Sequence, residues 1–330
     1  MTTRGIGTGL VVDVGGTFLR AGIYHPRSGL LKRDTLRIPS PNFRRSGLKG
    51  VRLQRQLVDA VADCARRLQK SAPLIRWVGV SICGPTRANG VVLSAPPLWG
   101  DTVRAFPLRA ALKRRLRRPV AVFNDLTCAA SAVAAMARYR KHRRVLVITV
   151  STGVGSKMAD TRTGEILRNP DGLSGELGHA RIDFTREALR CDCGGKGHVS
   201  AYSSGRGVVR VAKLLAPKRR PLSAEEIARL ARQGGRFALH ALDVSMTPLA
   251  RALCVLAGSI AMDRIVLIGG FALGVGELYR RRLAIKMTAA GMFGWSGKQV
   301  LSLVELGPDD DSLSLRGAGL LSSSELSGRR

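Results

Sequence analysis

The stretch "GLVVDV" at 9–14 is apolar but for Asp13 and stops at "GGT". So short and continuous a run predicts a strand buried on both faces, then a tight turn and a return strand over "LRAGIYHP". "LQRQLVDAVADCARRL" has a different period: Leu53, Leu57, Val61, Cys64 and Leu68 fall three or four residues apart, on one face of a helix. "WVGVSICG" and "PVAVFND" predict two more strands, with the short basic helix "LRAALKRRL" between them. The alanine-rich "LTCAASAVAAMARY" predicts a helix starting directly after Asp125. "RRVLVITV" and "SKMADTRTGEIL" predict further strands, the latter turning at "TRTG". Helical periodicity dominates from Tyr202, where Ser223 and Glu226 form a capping box. "DRIVLIGG" (263–270) and "QVLSLVEL" predict two last strands before a C-terminal helix, and the tail "SSSELSGRR" reads as disordered.

Mixed antiparallel strands followed by crossover helices, repeated once in outline, predict two α/β domains rather than one doubly wound sheet. A chain of 330 residues is long enough for two cores. Cys64, Cys83, Cys128 and Cys254 stand alone in apolar surroundings, where thiols serve as small core side chains, so no disulfide framework is expected. No apolar run reaches the roughly 18 residues of a membrane span, and the N-terminus lacks the order of a secretory signal. A cytoplasmic protein with no membrane partner is expected.

The charge alters the picture. Fifty-four Lys and Arg against 23 Asp and Glu leave a formal +31, clustered at "KRRLRRP", "RYRKHRR", "KRRP" and "YRRRL". Such a surface attracts anions. The clusters are scattered and few aromatics accompany them for base stacking, so nucleic acid is expected only as a nonspecific partner at low salt.

Three strand-to-turn junctions are candidates for phosphate: "DVGGT" (13–17), "VSTGVGS" (150–156) and "IGGFALG" (268–274). Glycines there let backbone N–H groups approach an anion, and Thr17 and Thr152 add hydroxyls. Asp13 can orient a magnesium-bound water. Neither a Walker A sequence nor a dinucleotide fingerprint is present, which disfavours an NAD-dependent oxidoreductase. Asp125, between a strand and a helix, suits either a helix cap or a base for phosphoryl transfer to an alcohol. Finally, His179, Cys191, Cys193 and His198 crowd into 27 residues (172–198) close after Glu176. They are either a metal site or a polar loop.

The ordered set "DVGGT", "FND", "VSTGVG", "GELGH", "CDCGGKGH" and "DRIVLIGG" resembles the ROK family of sugar kinases and repressors over about residues 9–320. The resemblance implies a two-lobed actin-like ATPase (ribonuclease H-like) fold with a cleft between lobes: a small lobe from 1–122 plus 311–330, and a large lobe from 123–310. It implies a carbohydrate kinase that phosphorylates a primary hydroxyl of a hexose, amino sugar or cyclitol, with a homodimer expected. Asp125 then corresponds to the general base, and Asn124, Glu176 and His179 to sugar contacts. Asp13, Gly15, Gly16, Thr17, Thr152, Gly153, Gly155, Gly269 and Gly270 correspond to the ATP and Mg²⁺ site. His179, Cys191, Cys193 and His198 correspond to a structural zinc knuckle, with His198 in place of the family's third Cys; a Cys₂His₂ set can close a tetrahedron.

Two positions depart from the sugar-kinase pattern. Ser200 stands where relatives usually carry Glu, and Pro97 where many carry a sugar-contacting Asn. Losing a charged acceptor should change selectivity by several kcal/mol, so an amino sugar or a cyclitol of antibiotic biosynthesis is expected rather than glucose. The alternatives are a ROK-type sugar-responsive regulator, for which only eight residues precede the first strand, and a non-catalytic sugar sensor.

Overall fold

The computed structural model describes residues 6–48, 50–70, 74–100 and 105–328. Its first sheet comprises β1 (Gly9–Val14), β2 (Phe18–His25), β3 (Gly29–Pro39), β4 (Trp77–Ile82) and β5 (Val120–Asn124), in the order β3-β2-β1-β4-β5. β1 pairs antiparallel with β2 and parallel with β4, which pairs parallel with β5. Residues two apart on these strands share a face. Leu10, Val12, Val14, Val78, Val80 and Ile82 pack with Leu53, Leu57 and Val61 of the helix Val51–Gln69. Each of those helix side chains contributes about 1.5–3 kcal/mol by leaving water. The opposite face, with Val11, Trp77, Ala121 and Phe123, packs on Leu315 and Ala318 of the helix Leu313–Leu326. A helix covers each face, which is why β1 apart from Asp13, and β4 apart from Ser81, carry no polar side chain.

The second sheet comprises β6 (Arg144–Val150), β7 (Val154–Asp160), β8 (Glu165–Leu167), β9 (Arg264–Ile268) and β10 (Val304–Leu306), in the order β10-β9-β6-β7-β8. β6 pairs antiparallel with β7 and parallel with β9. The pattern of the first sheet is repeated: the leading strand lies centrally, a meander on one side and parallel strands on the other. Leu146, Ile148 and Val150 pack with the helices Gly205–Leu215, Arg236–Ser259 and Glu277–Ala290. The helix Arg236–Ser259 is, by length and composition, apolar enough to span a membrane, against the expectation that no run reaches that length. It buries Ala238, Leu242, Met246, Leu249 and Leu253 in this core.

Contacts divide the chain into one unit of Met1–Met136, Ile166–Ser174 and Asp310–Arg330, and another of Ala137–Glu165 and Gly175–Asp309. The expected boundary at 122/123 would cut β5 between Val122 and Phe123. The division falls at 136/137 instead, because the helix Asp125–Ala134 packs closely on the helix Leu313–Leu326: a Cβ on Gly317 would meet the Cys128 carbonyl oxygen at 1.7 Å.

Two local expectations differ from the structure, and one strand had no expectation. "QVLSLVEL" is mostly the helix Gly297–Leu303, because Ser296 and Gln299 form a capping box, and only Val304–Leu306 is strand. The tail is helical through Leu326, with Ser322 fully buried against Gly79, while Arg329 and Arg330 lie outside the described residues. β3, which its polar sequence concealed, forms the sheet edge beside β2.

Candidate active site

In the first unit, three parallel strands end side by side. β1 ends at Asp13–Val14, β4 at Ile82 and β5 at Asn124. Asp13 is 8% exposed, and the parallel register sets it opposite Ser81, whose Oγ donates to Asp13 Oδ1 at 2.8 Å. The antiparallel register sets it opposite Arg20, whose guanidinium lies 3.7 Å from Oδ2 and binds Asp311 at 3.1 Å. Burial raises the proton affinity of Asp13, while the Ser81 hydrogen bond and Arg20 oppose that rise.

The turn that follows is held from behind. Ser40 Oγ donates to the Gly15 carbonyl at 2.6 Å, Asn42 Nδ2 to that of Gly16 at 2.9 Å, and the Ser40 amide to that of Thr17 at 3.0 Å. Gly16 is required sterically: a Cβ there would come within 2.8 Å of Pro97. Thr17 is exposed. Ser40, Asn42 and Ser81 were not anticipated from sequence; polar residues beside a glycine turn carry no periodic signal.

At the end of β5 the cap is Asn124, not Asp125. Asn124 Oδ1 accepts from the Thr127 amide at 3.1 Å, while Nδ2 donates to Gly84 O at 3.1 Å and to Asp125 Oδ1 at 2.9 Å. The Leu126 amide also donates to Asp125 Oδ1, at 2.8 Å. Asp125 is half-buried and opens the helix Asp125–Ala134. Burial first, then the nearby Asp125 and Asp13 carboxylates, pushes the Cys83 thiol well up; both carboxylates thus flank the end of β4. Arg168, over the Phe123 ring at 5.1 Å, backs this strand end from the other side.

In the second unit, β6 and β9 also end side by side. Ser151 N–H donates to Gly153 O at 2.9 Å, and Thr152 and Gly153 are exposed. Gly269 has φ +96°, and a Cβ there would meet Thr149 Oγ1 at 2.6 Å, so the two turns lie against each other. Gly270 opens the short helix Gly270–Val275. Gly155 lies not on the turn but on β7, paired with Thr149.

The glycines of "GELGH" have a packing reason. A Cβ on Gly175, at φ +80°, would come 2.1 Å from Ser156 O; one on Gly178 would come 1.9 Å from Val154 O and 2.3 Å from Ser200 Oγ. Both glycines let the segment lie flat on β7, where Ser156 N–H donates to Gly175 O at 2.9 Å. Glu176 is half-buried and His179 exposed. Ser200 Oγ accepts from Val154 N–H at 3.0 Å. Lys157, 4% exposed, lies beside Gly175; a single lysine within "SKMAD" was its signal.

His179, Cys191, Cys193 and His198 converge, their ligand atoms all within 4.8 Å of one another. Cys193 Sγ lies 3.2 Å from His198 Nδ1 and Cys191 Sγ 3.9 Å from His179 Nδ1. Zinc bonds of about 2.0–2.3 Å to nitrogen and sulfur set ligand atoms about 3.3–3.8 Å apart, so the set fits the metal in donor type and nearly in span. Burial, then the neighbouring His179 and Arg181, lowers the proton affinity of His198, favouring the neutral ring that ligates. The "CDCGG" hairpin closes through Cys191 N–H to Gly195 O at 2.8 Å and Gly194 N–H to Cys191 O at 3.0 Å. Asp192 is tied to the helix Gly205–Leu215 by Arg206 at 3.1 Å and by Arg210.

Two α/β units with glycine turns at the ends of their parallel strands define the actin-like ATPase fold. The chain belongs to the ROK family, whose model matches residues 10–322. Over 342 aligned residues it is 34% identical to a C(7)-cyclitol 7-kinase of Streptomyces hygroscopicus subsp. jinggangensis, covering 97% of this chain and 95% of that one. Among solved structures it is similar to a ROK hexokinase from Thermus thermophilus (26% identity, TM-score 0.79, covering 97% and 99% of the two chains). It also shares the fold of a ROK glucokinase from Streptomyces griseus solved with glucose and AMPPNP (23% identity, TM-score 0.72, 96% and 99%).

Proposed function

We propose that the chain is an ATP-dependent carbohydrate kinase that phosphorylates a primary hydroxyl of a C7 cyclitol, with Asp125 as the general base. The observation that carries this is the division of labour at the end of β5. Asn124 takes the capping bond and directs its amide at Asp125, so the Asp125 carboxylate is oriented by Asn124 and Leu126 rather than consumed as a cap. Asn124 therefore acts first as the residue that orients the base, whatever it adds to substrate contact.

ATP supplies the phosphoryl group, and magnesium neutralises its charge. Asp125 accepts the proton of the attacking hydroxyl as the new P–O bond forms and the bond between the γ-phosphorus and the bridging oxygen of the departing ADP breaks. Asp13 keeps acceptor capacity beside the Ser81 bond and suits a magnesium-bound water, since Mg²⁺ keeps most of its waters. The turns at Gly15–Thr17, Thr152–Gly153 and Gly269–Gly270 offer backbone amides to phosphate oxygens. Glu176 and His179 hold substrate hydroxyls. A zinc held by His179, Cys191, Cys193 and His198 would pin His179: with Nδ1 facing Cys191, Nε2 would be left for the polyol.

Substrate selection follows from Pro97 and Ser200. Pro97 packs on Gly16, and the Ser200 hydroxyl is bonded to β7, so neither presents a charged acceptor to a sugar hydroxyl. A substrate without an anomeric centre leaves no group unpaired there. The full-length similarity to a C(7)-cyclitol 7-kinase supports the same choice. A coupled ADP-release assay over a valiolone-type cyclitol, kanosamine, N-acetylmannosamine and glucose tests it. The cyclitol should give the highest kcat/KM; a clear preference for glucose would refute the assignment.

A further inference from the structure

Tyr202 lies four residues beyond His198, in the helix Val199–Ser203. Its hydroxyl accepts from the Leu189 amide at 2.8 Å and donates to Asp183 Oδ2 in a short hydrogen bond. Leu189 is two residues before Cys191, and Asp183 is four residues after His179. One phenol thus ties both arms of the 180–198 loop to the helix that follows it. Asp183 is itself fixed, accepting from the amide and hydroxyl of Thr185 at 2.9 and 2.7 Å. Between the arms, Gly197 N–H donates to Leu189 O at 2.9 Å, and Gly197 O accepts from the Ile182 and Asp183 amides at 2.9 and 3.1 Å. A Cβ on Gly197 would come 1.9 Å from Asp183 O, so the arms touch along their backbones.

We propose that Tyr202 is a positioning residue of the knuckle: its two hydrogen bonds hold His179, Cys191, Cys193 and His198 in convergence whether or not metal is bound, and through His179 they fix the polyol-binding segment. This rests on the site assigned above. The physical need is entropic. Bringing together ligands at both ends of a loop costs chain freedom, and a bond network that fixes the loop beforehand removes that cost from metal binding.

The test compares the full chain with Tyr202→Phe, which keeps the ring but loses both bonds, and with Asp183→Asn, which keeps an acceptor. Zinc transfer to a chromogenic chelator, deuterium uptake over 183–198, and KM for polyol and nucleotide are read. Tyr202→Phe should release zinc at least about tenfold faster, take up deuterium faster and raise the polyol KM about tenfold, with the nucleotide KM unchanged. Asp183→Asn, which leaves the Tyr202 bond from the Leu189 amide in place, should shift the same readouts in the same direction but by less. If Tyr202→Phe merely lowers Tm, with zinc release and deuterium uptake as in the parent chain, the proposal is wrong. Should the metal-replete chain hold no zinc, the metal assignment fails, while deuterium uptake and the polyol KM still decide the clamp: faster uptake and a raised KM uphold it, unchanged values overturn it.

Discussion

Replacing Gly178 by Ala isolates the packing on which the "GELGH" segment depends. The added methyl would sit 1.9 Å from Val154 O and 2.3 Å from Ser200 Oγ, so either the segment lifts off β7 or the Ser200 hydroxyl is displaced. Overpacking costs about 1–3 kcal/mol. Displacing Ser200 also removes the acceptor of the buried Val154 amide, which adds about 1–3 kcal/mol. A total of about 2–6 kcal/mol shifts the melting of a unit of this size by roughly 4–24 °C. Glu176 and His179 flank Gly178 closely, so a lift of a few tenths of an ångström misplaces both. Calorimetry and steady-state kinetics on the full chain read the two effects: a lower Tm, and a polyol KM raised about tenfold, the cost of roughly one lost hydrogen bond to a charged group. Unchanged Tm and KM would mean that the contact of this segment with β7 is not what holds the substrate residues.

Two further outcomes follow from the same geometry. Gly153→Ala meets nothing within 4 Å, so its Tm should stay at the parent value, while the nucleotide KM rises because a methyl now stands where a phosphate approaches; a changed Tm with an unchanged nucleotide KM would contradict this. Asp13 binds its proton more tightly folded than unfolded, so it subtracts stability as pH rises above the ordinary carboxylate value of 3.8. Asp13→Asn should therefore raise Tm at pH 7, lose that gain as pH falls toward 4, and abolish activity; melting curves at the two pH values check the sign.

How far the sequence foretold this depends on the kind of signal. β1, β4, β5, β6 and β9 were legible because strands covered on both faces are continuous apolar runs. β3 was not, because an edge strand tolerates "LLKRDTLR". The helix over Gly297–Leu303 was hidden because "QVLSL" suits either period, and the Ser296 cap decides between them. At the site, the residue types were legible but their duties were not. Asn124 and Asp125 are adjacent in sequence, yet only the hydrogen bonds show that the first caps the helix and orients the second. Ser81 reaches Asp13 through strand register, and Tyr202 reaches Asp183 across a loop; neither spacing is periodic.

The central claim is that Asp125 takes the proton from the attacking hydroxyl. Asp125→Asn is nearly isosteric and keeps the acceptor oxygen for Asn124 and Leu126, so folding and nucleotide binding should persist. Measured with a valiolone-type cyclitol and MgATP, kcat should fall by about 10²–10⁴-fold while the nucleotide Kd stays within about twofold. A kcat within about tenfold of the parent chain would contradict the assignment.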